Sequence, residues 1–162
     1  MNRHPGGLEH TKQMISLSGL LPPAKILDMG AGLGESVALL RSLGYDALGI
    51  DLNIEPRRDF VLKGDFLSSS FTPESFDGIL SQCAFYVSGQ SLHAFKTAYA
   101  LLRPGGILMI SDAQTNIIIR KMGQIIMVLT EIIIMEIMGM EIMAMDRKNQ
   151  VDKIRLCLLC LH

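Results

Sequence analysis

Ile26-Leu27-Asp28-Met29-Gly30-Ala31-Gly32-Leu33-Gly34-Glu35 is the stretch whose reading decides the fold. Ile26 and Leu27 follow a Pro22-Pro23 break and read as the end of a short buried strand. Three alternating glycines come next, and a helical pattern begins at Ser36. A strand, a glycine turn and a helix N-terminus in that order let backbone approach a ligand closely and point helix-end N–H groups at something polar.

Spacing separates this turn from other glycine turns. A dinucleotide fingerprint, G-x-G-x-x-G, needs glycine at position 35, where Glu35 stands. The pattern here is D-x-G-x-G-x-G, with Asp28 closing the strand. A carboxylate there is a poor neighbour for a pyrophosphate and a good one for a cation. About one helix later the apolar run Ala47-Leu48-Gly49-Ile50 ends in Asp51, at a strand tip where a carboxylate can take both hydroxyls of a ribose. A ribose with a cationic appendage and no phosphate describes S-adenosylmethionine.

Outward from the turn, Val37, Leu40 and Leu43 support a helix over 36–43 that Gly44 closes, and Tyr45 to Asp51 reads as the second strand. Residues 53–59 are too short and too interrupted by Pro56 for a full crossover helix. Phe60 to Lys63 reads as a third strand ending in Gly64-Asp65-Phe66. Phe76-Asp77-Gly78-Ile79-Leu80-Ser81 reads as a fourth strand. Leu92, Phe95, Tyr99 and Leu102 then repeat at helical spacing, and Arg103-Pro104-Gly105-Gly106 turns into a fifth strand, Ile107 to Ile110, tipped by Ser111-Asp112. Upstream, residues 8–21 read as an amphipathic helix with Leu8, Ile15, Leu20 and Leu21 near one side.

On these five stretches, in this order, residues 24–112 resemble the core of the class I S-adenosylmethionine-dependent methyltransferases. The resemblance implies an α/β fold, a Rossmann-like doubly wound sheet with strand order 3-2-1-4-5. It implies cofactor contacts from Asp28, Gly30, Ala31, Gly32, Gly34, Asp51, Leu52, Asp65, Phe66, Ser81 and Gln82. Asp65 would take the adenine amino group and Phe66 would pack on the ring. The segment from Ser81 to Tyr86 would lie beside the sulfonium methyl, and the N-terminal helix would cover the cofactor.

Methyl transfer from a sulfonium needs positioning and exclusion of water more than a fixed triad, so no base is dictated. For an acceptor that must lose a proton, His4, His10, Tyr86 and Asp112 are the nearest groups, each with a bland alternative as a solvated or packed side chain. The fourth strand ends in Ser81-Gln82-Cys83-Ala84-Phe85 instead of the Asn/Asp-Pro-Pro-aromatic segment of nucleic-acid amino methyltransferases, which leaves a small-molecule acceptor. A nicotinamide-dependent oxidoreductase shares the fold and is disfavoured by Asp28 and Glu35. A cofactor-binding half that turns nothing over is the other rival.

At 162 residues and net charge −1, the chain reads as one domain with no basic field for nucleic acid. Three cysteines are too few for a disulfide framework, no metal-ligand set stands out, and Met1 to Gly7 carries no apolar signal, so a cytoplasmic location is expected. The expected organisation is a cap-helix segment at 1–23, the core at 24–112 and an atypical tail at 113–162. In that tail isoleucine and methionine dominate, and acids at Glu131, Glu136 and Glu141 recur every five residues, a period that fits neither helix nor strand. These acids also interrupt any membrane span. The usual C-terminal hairpin is therefore expected to be absent or replaced, by a frameshifted or degenerate end from about Gln114 or by a low-complexity helix buried through self-association.

Overall fold

The structure, a computed structural model, describes residues 7–53, 59–111 and 116–121 and the strands Glu141–Met145 and Val151–Ile154. In chain order the elements are α1 (Gly7–Ser18), β1 (Lys25–Met29), α2 (Glu35–Ser42), β2 (Asp46–Asp51), β3 (Val61–Lys63), β4 (Phe76–Gln82), α3 (Ala84–Val87), α4 (Ser91–Leu101) and β5 (Leu102–Ser111). Strands β6 (Asn116–Arg120), β7 (Glu141–Met145) and β8 (Val151–Ile154) follow. All eight strands form one sheet in the order β3-β2-β1-β4-β5-β6-β7-β8. The first five strands are parallel, in the expected order 3-2-1-4-5, and β6, β7 and β8 pair antiparallel.

The chain steps one way from β1 to β2 and β3 and the other way to β4 and β5. That reversal opens a crevice at the carboxyl ends of β1 and β4, where open sheets of this kind bind ligands. Strands β1 and β4 are central and covered on both faces, which explains why they read as nearly unbroken apolar runs. On one face Ile26, Leu80, Ile107 and Met109 pack with Met14, Ile15, Val37 and Leu40 from α1 and α2. On the other, Leu27, Met29, Ile79, Leu108 and Ile110 pack with Phe66, Phe85, Ala94, Ala98 and Leu101.

Helices α1 and α4 bury part of the side-chain set the sequence suggests: Ile15 is buried, and Leu20, just past α1, and Phe95 pack against the core. Helix α1 buries Thr11, Met14, Ile15 and Ser18, at i, i+3, i+4 and i+7, and stops at Gly19, whose φ is +69°. Leu8 and Leu21, read as part of its apolar side, are exposed. Burial of Met14 and Ile15 stabilises by about 1.5–3 kcal/mol each, which holds a helix too short to persist alone. Helix α4 buries Ala94, Ala98 and Leu101 and leaves Leu92 exposed, because small residues let it lie close on the sheet.

The expected turn at 103–106 lies inside β5. Pairing with β4 jumps from Phe76↔Leu102 to Gly78↔Ile107, so Arg103 to Gly106 bulge from the ladder. Arg103 pairs with the buried Asp77, whose other oxygen accepts from the Lys25 amide at 2.7 Å.

Antiparallel strands follow the parallel half of the sheet. Among the described residues beyond β5, Asn116–Arg120, Glu141–Met145 and Val151–Ile154 are strands that extend the sheet. Asn116-Ile117-Ile118-Ile119-Arg120 pairs antiparallel with β5 from Asn116↔Ser111 to Arg120↔Ile107, and Ile118 is buried. Branched isoleucines suit a pleated surface, and that local preference outweighs the missing periodicity in the acids. The usual hairpin is replaced by an antiparallel meander.

Candidate active site

A cavity of about 400 Å³ lies at the predicted crevice. Its wall is made by Gly30, by Asp51, Leu52 and Asn53 beyond β2, by Asp65, Phe66 and Leu67 beyond β3, and by Gln82, Cys83 and Ala84 beyond β4, with Val87, Ser88 and Gln90 closing one side. Of the sequence-predicted cofactor residues, Gly30, Asp51, Leu52, Asp65, Phe66 and Gln82 are brought together here. Ala31, Gly32 and Gly34 belong to the turn beside them but do not line the cavity, and Gly34 faces a second groove with Glu35, Arg41 and Phe60.

The turn is built by close approach. A Cβ on Gly30, whose φ is +84°, would stand 2.2 Å from the Cβ of Ala84, so only glycine lets β1 and the start of α3 meet. A Cβ on Gly49 would stand 2.6 Å from that of Ala31, so a bare strand position lets the turn rest on β2. Four of the turn's amides are engaged within the protein. Gly30 and Ala31 both donate to Ile50 O, Gly34 donates to Ala31 O, and Gly32 donates to Asp51 Oδ2 at 2.8 Å. These four N–H groups are therefore not a nest for an anion.

Asp51 also accepts from the Asn53 amide through Oδ1 at 2.8 Å, so both of its oxygens are oriented before any ligand arrives. Asp65 starts the short 3₁₀ turn Phe66–Ser68 by accepting from the Leu67 amide at 2.8 Å, and Phe66 stacks on Phe85 at 6.1 Å. Each predicted aromatic and acid is thus held by local chemistry.

Asp28 stands apart from the lining residues. It does not line the cavity with Asp51 but lies behind the turn, 3% exposed. Burial, together with the nearby Asp51 charge, pushes its carboxyl up to about 7. Ser81 stands apart too. Strand alternation turns it to the α4 face beside Met29 and Ile110, fully buried, while Gln82 faces α1 and α2.

Gln82 Oε1 accepts from Ser36 Oγ at 2.9 Å and Thr11 Oγ1 at 3.3 Å, tying α1 and α2 to the tip of β4. Next to it, His10 Nε2 lies 3.0 Å from Ser111 Oγ, at the tip of β5. Among the other base candidates, Tyr86 is exposed and does not line the cavity, while His4 and Asp112 lie outside the described residues. Cys83 holds a left-handed backbone, φ +66°, at the bend into α3, a strained geometry of the kind found at ligand sites. The sequence reading missed Val87, Ser88 and Gln90, because a helix as short as α3 leaves no periodic signal.

An anion-averse turn, two lining carboxylates and a third buried beneath suit an adenine nucleoside carrying positive charge. Among the described residues no helix is long and apolar enough to cross a membrane.

Residues 27–110 match the family model described as a methyltransferase domain. Phosphoethanolamine N-methyltransferase 3 of Arabidopsis thaliana is 28% identical over 121 residues, covering 66% of this chain and 24% of that protein. Phosphoethanolamine N-methyltransferase of Plasmodium falciparum is 32% identical over 121 residues, covering 66% of this chain and 46% of that protein. The chain thus spans about a quarter to a half of the length of these relatives. Among solved structures, phosphoethanolamine N-methyltransferase 2 of Haemonchus contortus, in complex with phosphomonomethylethanolamine and S-adenosylhomocysteine, shares the fold with TM-score 0.59 at 23% identity, covering 80% of this chain and 32% of that one. The match covers the glycine turn, the strand-tip acids and all five parallel strands but the first two residues of β1 and the last of β5, so the chain belongs to the methyltransferase domain family, the class I S-adenosylmethionine-dependent methyltransferases, whose cofactor is S-adenosylmethionine.

Proposed function

We propose that this chain transfers the methyl group of S-adenosylmethionine to a small-molecule acceptor. The observation that carries the reading is Asp51 beside a glycine turn whose amides are spent internally: a ribose is served there and a pyrophosphate is not. The cofactor supplies an activated methyl on a good leaving group. The chain's residues do the rest: Asp51 orients the sugar, Asp65 and Phe66 take the adenine, Asp28 and Gly30 support the charged end, and α1 closes the crevice over the tips of β4 and β5. Leu52 and Gln82 complete the wall. The named acceptors of the relatives, phosphoethanolamine and arsenite, are small molecules, which favours that class for this chain.

The nicotinamide alternative fails on the same turn, which lacks the glycine at position 35 and has its Gly30, Ala31, Gly32 and Gly34 amides engaged within the protein. The test is a thermal-shift and calorimetric comparison of S-adenosylhomocysteine with NAD, followed by a methyl-release screen over small amines, thiols and hydroxy acids. Binding of S-adenosylhomocysteine and turnover of one acceptor support the proposal. Preference for NAD overturns it, and binding without turnover on any acceptor leaves a cofactor-binding domain in its place.

A further inference from the structure

Three strand tips bring polar side chains to one face of the sheet. Ile26, Leu80 and Met109 pack with side chains of α1 and α2, and two residues further along each strand, on the same face, stand Asp28, Gln82 and Ser111. The apolar layer beneath the two helices therefore ends in a polar row at the carboxyl ends of β1, β4 and β5. Two neighbouring side chains of α1 meet that row: Thr11 Oγ1 donates to Gln82 Oε1 at 3.3 Å, and His10 Nε2 lies 3.0 Å from Ser111 Oγ.

The Ser111–His10 pair adjoins the cavity wall on two sides. Gln82 and Cys83 belong to that wall. Ser111 is the register partner of Gln82, one strand spacing of about 4.8 Å away, and its main-chain oxygen accepts from the Cys83 amide at 2.6 Å. Ser111 is buried, which fixes its hydroxyl, whereas His10 is half-buried, so a proton taken up on the ring can leave to solvent. An imidazole held against a hydroxyl beside a reaction site suits proton removal, since the hydroxyl accepts one proton while giving up its own and gains no net charge. At this end of the elements packed against α1, the charged and titratable groups among the described residues are Asp28 of β1, Glu35 of α2 and Cys83 beyond β4, with Glu9 and Lys12 of α1 paired to each other at 2.6 Å.

We propose that His10, through the Ser111 hydroxyl, is the general base that takes a proton from an amine acceptor. This rests on the reading of the chain as a small-molecule methyltransferase and narrows the acceptor to one that arrives with a proton to lose. An alkyl ammonium has no lone pair with which to attack. One of its protons passes to Ser111 Oγ as the hydroxyl's own proton moves to His10 Nε2. The freed nitrogen pair forms the bond to the methyl carbon, and the carbon–sulfur pair stays on sulfur. The imidazolium then returns its proton to water. Thr11, bonded to Gln82, fixes the same turn of α1 on the tip of β4 and so keeps the ring in place.

The test is methyl release from labelled S-adenosylmethionine to ethanolamine, phosphoethanolamine, glycine and benzylamine, followed across neutral and alkaline pH on the full chain, H10Q, S111A and D28N. General-base catalysis contributes about 10²–10⁴-fold, so H10Q should lose about a hundredfold or more in kcat at about pH 7. It should recover most of that rate as the pH approaches the amine's own ionisation, where the solution supplies free amine. S111A should follow the same profile and keeps the test open if H10Q does not fold, while S-adenosylhomocysteine affinity by calorimetry should be unchanged in both. D28N, whose acid stands in the same row, should show no such recovery; if it does, the proton belongs to Asp28 and the inference is overturned. No loss in H10Q and S111A, or a loss equal at every pH, overturns it as well, and so does a wild-type chain that binds S-adenosylhomocysteine yet methylates none of these amines. A wild-type chain that does not bind S-adenosylhomocysteine instead overturns the underlying reading of the pocket.

Discussion

The ammonium of Lys121 donates to the main-chain oxygen of Leu102 at 2.6 Å inside the protein, and the same nitrogen reaches Glu74 at 3.2 Å and lies over the ring of Tyr99 at 4.6 Å. Its own backbone exchanges hydrogen bonds with Gly105 and Gly106. The residue just past β6 thus clasps both the bulge in β5 and the end of α4. Lys121 is 4% exposed, so K121M keeps the aliphatic volume and strips the Leu102 carbonyl of its donor. The expected loss is about 1–3 kcal/mol of unfolding free energy in urea titration. Unchanged stability would show that the clasp contributes nothing.

Gly30 is the most constrained position in the turn. G30A combines a Cβ placed 2.2 Å from Ala84 Cβ with a φ of +84° that L-residues rarely adopt. It is expected to cost about 1–3 kcal/mol in stability and to abolish measurable S-adenosylhomocysteine binding. Adding A84G relieves the overlap but not the dihedral, so partial recovery in the double variant would separate the two causes.

Asp28 makes the protein's behaviour depend on pH. Its folded value of about 7 lies above the ordinary 3.8, so between the two the folded chain holds a proton that the unfolded chain has lost. Stability therefore falls as pH rises through that window and is lowest above it. D28N should flatten this dependence and raise Tm near about pH 8. Because a cationic ligand favours the ionised form, S-adenosylmethionine affinity in the wild type should rise from about pH 5 to 8, with protons released on binding. Calorimetry in buffers of different ionisation enthalpy reads that release, and a pH-independent affinity would contradict the assignment.

Asp51 serves the fold and the ligand together. D51A leaves the amides of Gly32 and Asn53 without their acceptor and removes the sugar's partner. A loss of about tenfold to a hundredfold in S-adenosylhomocysteine affinity is expected. D51N retains one acceptor oxygen and should fall between. Binding by D51A at wild-type strength would remove Asp51 from the site.

The parallel half of the fold was legible because its signals are local and strong: the glycine turn after Ile26-Leu27, the acid ending Ala47-Leu48-Gly49-Ile50, and the apolar runs of β4 and β5. Side-chain direction was less so. Asp28 and Asp51 both stand at strand ends, yet one faces the cavity and the other lies behind the turn, a difference set by where the backbone folds over β1. Ser81 and Gln82 are neighbours on opposite faces, which alternation fixes only once the register is known. The apolar faces of α1 and α4 were legible in Ile15 and Phe95 and missed in Met14, Ala94 and Ala98, where a flexible or small side chain fits close against the sheet.

The engaged amides of the glycine turn also bear on competition inside a cell. Adenine compounds there are overwhelmingly ATP, ADP and AMP, and all of them carry phosphate on the ribose that Asp51 orients, beside a turn whose Gly30, Ala31, Gly32 and Gly34 amides are already engaged. A phosphate seated there gains no hydrogen bond from these four amides, so the turn itself favours adenosine without phosphate over the nucleotides.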